Sequence, residues 1–261
     1  MGPFRLHAQS TVDKLPADLH IRRTHGDSVQ PAYEGWRRND DGTVTMWFGY
    51  YNRNTEELVN VPVGPNNKFD PPANDRGQPA YFYNGFQQFV FAVDLPKDWD
   101  KDKKLVWTIT TNGVTLTAIG ETAQGYEVDE GVISMNLSPG ANTEGNKPPV
   151  IEGPRDQVVE LGALLKLSAT ATDDDLPKPR AGRNGARQSG VRMRWEEYRG
   201  PGDVTFEPST VTGEFGKPVQ AMTEAKFSAP GTYWIRVIGF DGQREGYQDF
   251  KVTVNPAHAT K

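Results

Sequence analysis

The sequence predicts an all-β chain: two β-sandwich domains in tandem behind an extended N-terminal arm. Three observations predict it. Short runs rich in Val, Thr, Phe, Tyr and Trp recur from Tyr33 onward, and turn residues separate them; alternating apolar and polar side chains within a run fit the period of two of a pleated strand. The chain holds 27 glycines and 20 prolines among 261 residues, without a collagen period, which suits many tight turns. The first half shows no convincing spacing of three and four apolar residues, the mark of an amphipathic helix.

Residues 1–32 follow neither period and carry Arg5, Lys14, Arg22 and Arg23. They read as an arm that orders only against a partner or the body of the protein. The first sandwich is expected over 33–140. Thr43–Tyr51 follows the turn Asp40-Asp41-Gly42 and is strand-like, as is Leu58–Val63. Gly64–Pro79 reads as a long loop. Phe86–Leu95 is a strand with Phe89, Phe91, Val93 and Leu95 on one face. Asn112-Gly113 joins Lys104–Thr111 to Val114–Ile119, and such a pair between β-rich runs signals a hairpin because both residues tolerate positive φ. Tyr126–Leu137 is expected as a last strand.

Residues 141–149 form a linker, stiffened by Pro148-Pro149. The second sandwich is expected over 150–256, with a tail at 257–261. Its strands are Gln157–Glu160, Leu164–Ala171, Val191–Tyr198, Thr205-Phe206, Ala225–Phe227, Thr232–Phe240 and Gln248–Val254. Val191, Met193 and Trp195 point inward, and Arg192, Arg194 and Glu196 outward. An inward Trp on the third strand is where immunoglobulin-like sandwiches place one. Both domains are therefore expected to be immunoglobulin-like.

Residues 146–255 resemble the PKD and cadherin-like group of immunoglobulin-like domains. The residues that carry the resemblance are Asn146-Lys147-Pro148-Pro149, Ala171 to Asp175, Trp195, Ala229-Pro230-Gly231-Thr232-Tyr233, Asp241-Gly242 and Val252-Thr253-Val254. The inserted segment Lys178–Gln188 departs from that pattern. Residues 33–137 resemble a module of uncharacterised secreted bacterial proteins, through Gly64-Pro65-Asn66-Asn67, Gly77-Gln78-Pro79 and Leu105-Val106-Trp107-Thr108. The cadherin-like resemblance implies a calcium site at one pole of the second sandwich, formed by Asp173, Asp175 and Asp241 and facing the first domain. Calcium takes about 6–8 oxygens. The alternative is a solvated acidic turn paired with Arg180 or Arg183.

The absence of cysteine removes disulfides and thiolate chemistry. A net charge of −5 argues against nucleic acid. No run reaches the roughly 20 apolar residues of a membrane-spanning helix, and Met1–Gln9 lacks the apolar core of a signal peptide. The four histidines sit in the terminal tails and fit no metal spacing. Glu196-Glu197, adjacent on a strand, point to opposite faces and make no catalytic carboxylate pair.

Partner contacts are expected at Arg180, Arg183 and Arg187 in the inserted loop, at Arg22 and Arg23 in the arm, and at Trp47 and Tyr51. Neighbours such as Trp47-Phe48 and Tyr50-Tyr51 cannot all face the core of one strand. These residues point to a non-catalytic, extracytoplasmic structural or protein-binding subunit in the periplasm or at the cell surface. Such a subunit would be an extrinsic accessory of a larger membrane-associated complex, with no cofactor beyond that calcium. A carbohydrate-binding accessory module is the alternative, and a hydrolase using Asp70 and Asp75 is a third reading.

Overall fold

The computed structural model describes residues 23–138, 144–178 and 189–257. The chain is all-β, as expected, with two sandwiches. The first contains β1 (Val29–Arg38), β2 (Val44–Asn52), β3 (Val59–Asn60), β4 (Asn67–Asp70), β5 (Tyr81–Phe82), β6 (Gly85–Leu95), β7 (Leu105–Thr111) and β8 (Val114–Gly120). One sheet runs β1-β2-β6, the facing sheet β4-β7-β8, and β3-β5 forms a short ribbon. Strand β1 thus starts inside the segment expected as arm, because Val29 is fully buried in the core.

Aromatic side chains fill the space between the sheets. Phe48 lies 5.2 Å from Phe69 and 5.6 Å from Phe91, and Trp107 stacks on Phe69 at 6.0 Å. Such rings bury a large area each, which compensates for few aliphatics. The turn Asn112-Gly113 has positive φ at both residues, 49° and 76°, and closes the expected hairpin. In β6 the expected face holds for Phe91, Val93 and Leu95 but not for Phe89. There the pairing skips from Phe48↔Phe91 to Tyr50↔Gln87, and Phe89 (φ 50°) leaves the ladder.

Three local expectations change. Tyr126–Leu137 is not a strand: after a 3-10 turn, Gln124–Tyr126, the chain forms α1 (Glu130–Leu137). Asp129 caps it by accepting the Val132 N–H at 2.8 Å. Eight residues are too few for a helical period to stand out, and the β-prone Val132-Ile133 pair favours a strand reading. The loop 64–79 contains β4, and the run Leu58–Val63 keeps only β3 as strand.

The second sandwich contains β9 (Val150–Glu152), β10 (Gln157–Glu160), β11 (Leu165–Thr172), β12 (Ser189–Arg199), β13 (Val204–Glu207), β14 (Thr210–Glu214), β15 (Val219–Phe227), β16 (Gly231–Phe240) and β17 (Glu245–Asn255). The sheet β10-β17-β16-β12-β14 faces the sheet β13-β15-β11-β9. Trp195 points inward as expected, 3% exposed and edge-on to Phe250 at 6.3 Å.

Candidate functional site

The polar chemistry concentrates where the two sandwiches meet. On the first, a buried hydrogen-bonded knot shapes the loop before β5. Trp107 Nε1 donates to Asn67 Oδ1 at 2.9 Å, and Asn67 Nδ2 donates to the carbonyls of Val61 (2.9 Å) and Pro79 (2.8 Å). Gln78 donates to Asn74 O at 2.9 Å, and its side-chain oxygen accepts from Arg76 N at 2.8 Å. Asn67 and Gln78 are fully buried, so their polar groups require these partners. The knot leaves the carbonyls of Gly77 and Gln78, the Ala80 N–H and the Asp75 carboxylate facing outward.

The end of β12 and the turn after it take up those groups. Tyr198 Oη donates to Gly77 O at 2.5 Å, and Ala80 N donates to Tyr198 O at 3.0 Å. Arg199 Nε donates to Gln78 O at 2.8 Å, while its two terminal nitrogens reach Asp75 at 2.8 and 2.9 Å. Glu197 N donates to Tyr83 Oη at 2.8 Å, Asn60 donates to Gly200 O at 2.8 Å, and Tyr81 Oη donates to Asp203 at 3.2 Å. Arg199 holds the Asp75 carboxyl below the usual carboxylate range, chiefly by its hydrogen bonds. A carboxylate fixed this way is a structural anchor and an unsuitable general acid.

Beside this seam lies a cleft of about 300 Å³, bounded by β2, β6 and α1 on one side and by β12, β16 and β17 on the other. Its guanidinium groups are matched by protein acceptors. Arg236 is held between the rings of Tyr198 and Tyr247, 4.0 and 3.9 Å from their centroids. It bonds Asp249 at 2.7 and 2.9 Å and donates to Val90 O at 2.7 Å. Arg194 meets Glu196 at 2.6 Å and Glu245 at 2.8 Å. Glu130 at the start of α1 joins Arg37 (2.5 Å) to Arg244 of the second sandwich (2.6 Å). Forked, charge-assisted bonds of this kind fix geometry. The arrangement holds two bodies in register.

Of the residues singled out from the sequence, Trp47 lines the cleft, and Arg37 covers its ring at 5.1 Å. That cover comes from β1 of the same sheet, and residues of the second sandwich line the opposite wall of the cleft. Tyr51 pairs with Phe86 at 5.9 Å on the same sheet, and Phe86 remains 55% exposed. Arg23 leads into the body, its carbonyl accepting from Thr55 N at 2.9 Å. Arg22, Arg180, Arg183 and Arg187 lie outside the described residues.

At the acidic pole, burial first and then the neighbouring charges of Asp241 and Asp174 push the Asp173 carboxyl up to about 6. Asp174 accepts the backbone N–H groups of Lys147 (2.9 Å) and Leu176 (3.1 Å). Asp241 Oδ1 accepts those of Gln243 and Arg244. Asp173 Oδ1 and Asp241 Oδ2 are buried without a hydrogen-bond partner, which a hard cation would remedy. Yet among the described residues no three acidic or histidine side chains converge as a metal needs, so the donor set falls short of a calcium shell. The pole was also expected to meet the first sandwich. From the pole itself Arg244, whose backbone N–H bonds Asp241, reaches Glu130 of α1; the other hydrogen bonds and ion pairs to that sandwich come from the 197–203 segment and Arg236.

Of the interface residues, Tyr198, Arg199 and Arg236 were not anticipated, and Asp75 was read only as a carboxylate for hydrolysis. One signal was present: outward Arg and aromatic side chains on β12 and β16, which suit a covered face better than a wet one.

No family model matches the chain, and no curated protein matches it. Among solved structures it is similar to the fibronectin(III)-like modules of Clostridium thermocellum CbhA, at 11% identity over 83% of this chain and 90% of that one, with a TM-score of 0.27. It is also similar to the D00-D0 domain of intimin, at 12% identity over 87% of this chain and all of that one, TM-score 0.28. A complex of titin M10 with an obscurin-like 1 immunoglobulin domain matches 44% of this chain and 99% of that one at 17% identity, TM-score 0.28. At these scores the superpositions are loose, and the immunoglobulin-like assignment rests on strand order and register in the chain itself.

Proposed function

We propose that the chain is a non-catalytic structural and protein-binding module that acts outside the cytoplasm, as an extrinsic accessory subunit of a larger membrane-associated assembly. The observation that carries this reading is the interface: loop 75–83 and α1 of one sandwich are bonded to β12, Arg236 and Arg244 of the other. The cleft's arginines are paired with protein acceptors, and Arg236 and Arg244 bond across to the first sandwich. Among the described residues no helix is long and apolar enough to cross a membrane, so attachment through a partner fits this role. The exposed Phe86 ring against Tyr51 supplies an apolar patch for it, since interface cores favour aromatic anchors. A saccharide reading gains nothing from the cleft, because Arg37 covers Trp47, while Tyr198 and Tyr247 enclose Arg236.

The test is native migration of membrane extracts. The chain should run with a large assembly, and Phe86→Ala should release it with its melting temperature unchanged. A wild-type chain that runs only as a free monomer overturns the proposal.

A further inference from the structure

Each of Glu197, Tyr198, Arg199 and Gly200 gives the first sandwich a bond. One carboxyl organises this segment from inside. The Glu197 side chain is turned under its own backbone and is 1% exposed. Its Oε2 accepts the Val204 N–H at 3.0 Å and closes the turn. Its Oε1 is buried without a hydrogen-bond partner. Gly200 is needed here, because a Cβ would stand 2.2 Å from the Tyr233 ring and 2.3 Å from Glu197 Oε1. The titratable groups around Glu197 are Asp203 in the same turn, Tyr233 on β16, and Tyr81 and Tyr83 of the first sandwich. None is a cation, so a charge on Glu197 has no counter-ion among these neighbours. An unpaired buried carboxylate is costly, and the acid, with a proton on its orphan oxygen, is the form that this site accommodates.

We propose that docking of the two sandwiches is proton-linked through Glu197: the neutral acid favours the docked state, and the carboxylate favours an opened one in which water reaches the 197–203 turn. Docking then takes up a proton, and the interface tightens as the medium becomes mildly acidic. Burial, which pushes this carboxyl up to about 8, supports the geometry. The inference presupposes the docked sandwiches but no particular partner, so it stands or falls apart from the accessory-subunit role.

The test is amide hydrogen exchange on the full chain from pH 6 to 9, corrected for intrinsic exchange. The reporters are Ala80 N–H and Glu197 N–H, which both bond across the interface. Ile109 and Val252 in the two cores are the controls. The reporters' protection should fall by up to about tenfold per pH unit as pH rises toward 8 and then level off, while the controls stay flat. Glu197→Gln, which keeps an acceptor for Val204 N–H, should show high protection throughout. Flat reporters in the wild type overturn the proposal, as does an equal fall in Glu197→Gln. A matching fall at Val252 also overturns it, by placing the effect in the stability of the sandwich. Should Glu197→Gln fail to fold, carboxyl-carbon NMR of the wild type decides: Glu197 titrating in the ordinary carboxylate range overturns the linkage.

Discussion

Arg199 and Asp75 stand 124 residues apart in sequence and meet through two parallel hydrogen bonds of 2.8 and 2.9 Å. Arg199 also covers the ring of Trp234 at 4.7 Å. Asp75 is half-exposed, which limits what the pair contributes. Arg199→Ala is expected to destabilise the protein by about 1–2 kcal/mol, more through the lost Gln78 contact and stacking than through charge. Arg199→Lys should recover less than half of this, since an ammonium makes neither the fork nor the stack. Denaturant melts of the two variants check the order.

Asn67 supports the loop that carries Asp75, Gly77 and Gln78. Asn67→Ala leaves the Trp107 N–H and two buried carbonyls without partners. A loss of roughly 3 kcal/mol is expected, at about 1 kcal/mol or more per orphaned group. In a chain of this size that lowers the melting temperature by roughly 6–12 °C. A shift under a few degrees would show that the knot does not hold the loop.

Four carboxyls are pushed up by burial: Glu34 to about 7, Glu197 to about 8, Asp173 to about 6, and Asp241 above its ordinary value. For each, the folded protein holds the proton more tightly than the unfolded chain. Their combined effect is therefore most favourable below the ordinary carboxylate range and is lost as pH rises toward 8. Asp75 is lowered and works the other way: its contribution is present above the ordinary range and is lost as pH falls through its depressed value. The melting temperature should peak near about pH 5 and decline toward pH 8. Glu34→Gln should raise it at pH 8 and change it little at pH 5.

Asp173 and Asp241 repel each other in a half-buried site. Asp173→Asn is expected to raise the melting temperature at pH 8, less so at pH 5, and calcium should not shift the wild-type melt. A rise on adding calcium that Asp173→Asn abolishes would mean that groups outside the described residues complete a cation site there.

The strands were legible where their side chains alternate: β11, β12 up to Trp195 and the β7–β8 hairpin follow the pleat, while only the last three residues of β15 were read as strand. Helix α1 was hidden by its length, although Asp129 is an ordinary cap. The interface was hidden for a different reason. Whether Arg194, Arg199 and Arg236 face water or another sandwich depends on how the domains dock, and strand periodicity is silent on that. Residues Gly64–Asn67, Gly77–Pro79 and Trp107 did stand out as a set, and the Asn67 knot shows why they occur together. The acidic pole gathers like charges, and its Arg244 reaches Glu130 of the first sandwich, while the larger set of contacts made by the 197–203 segment was not read from the sequence.

The central claim is that the two sandwiches form one docked block. The chain has no cysteine, so Thr117→Cys and Lys226→Cys, both exposed, place one spin label on each sandwich without interference. Double electron–electron resonance at pH 6 should give a single narrow distance distribution in the wild-type background. Adding Arg199→Ala and Asn67→Ala together should broaden it. A broad or multimodal distribution in the wild-type background would contradict the account.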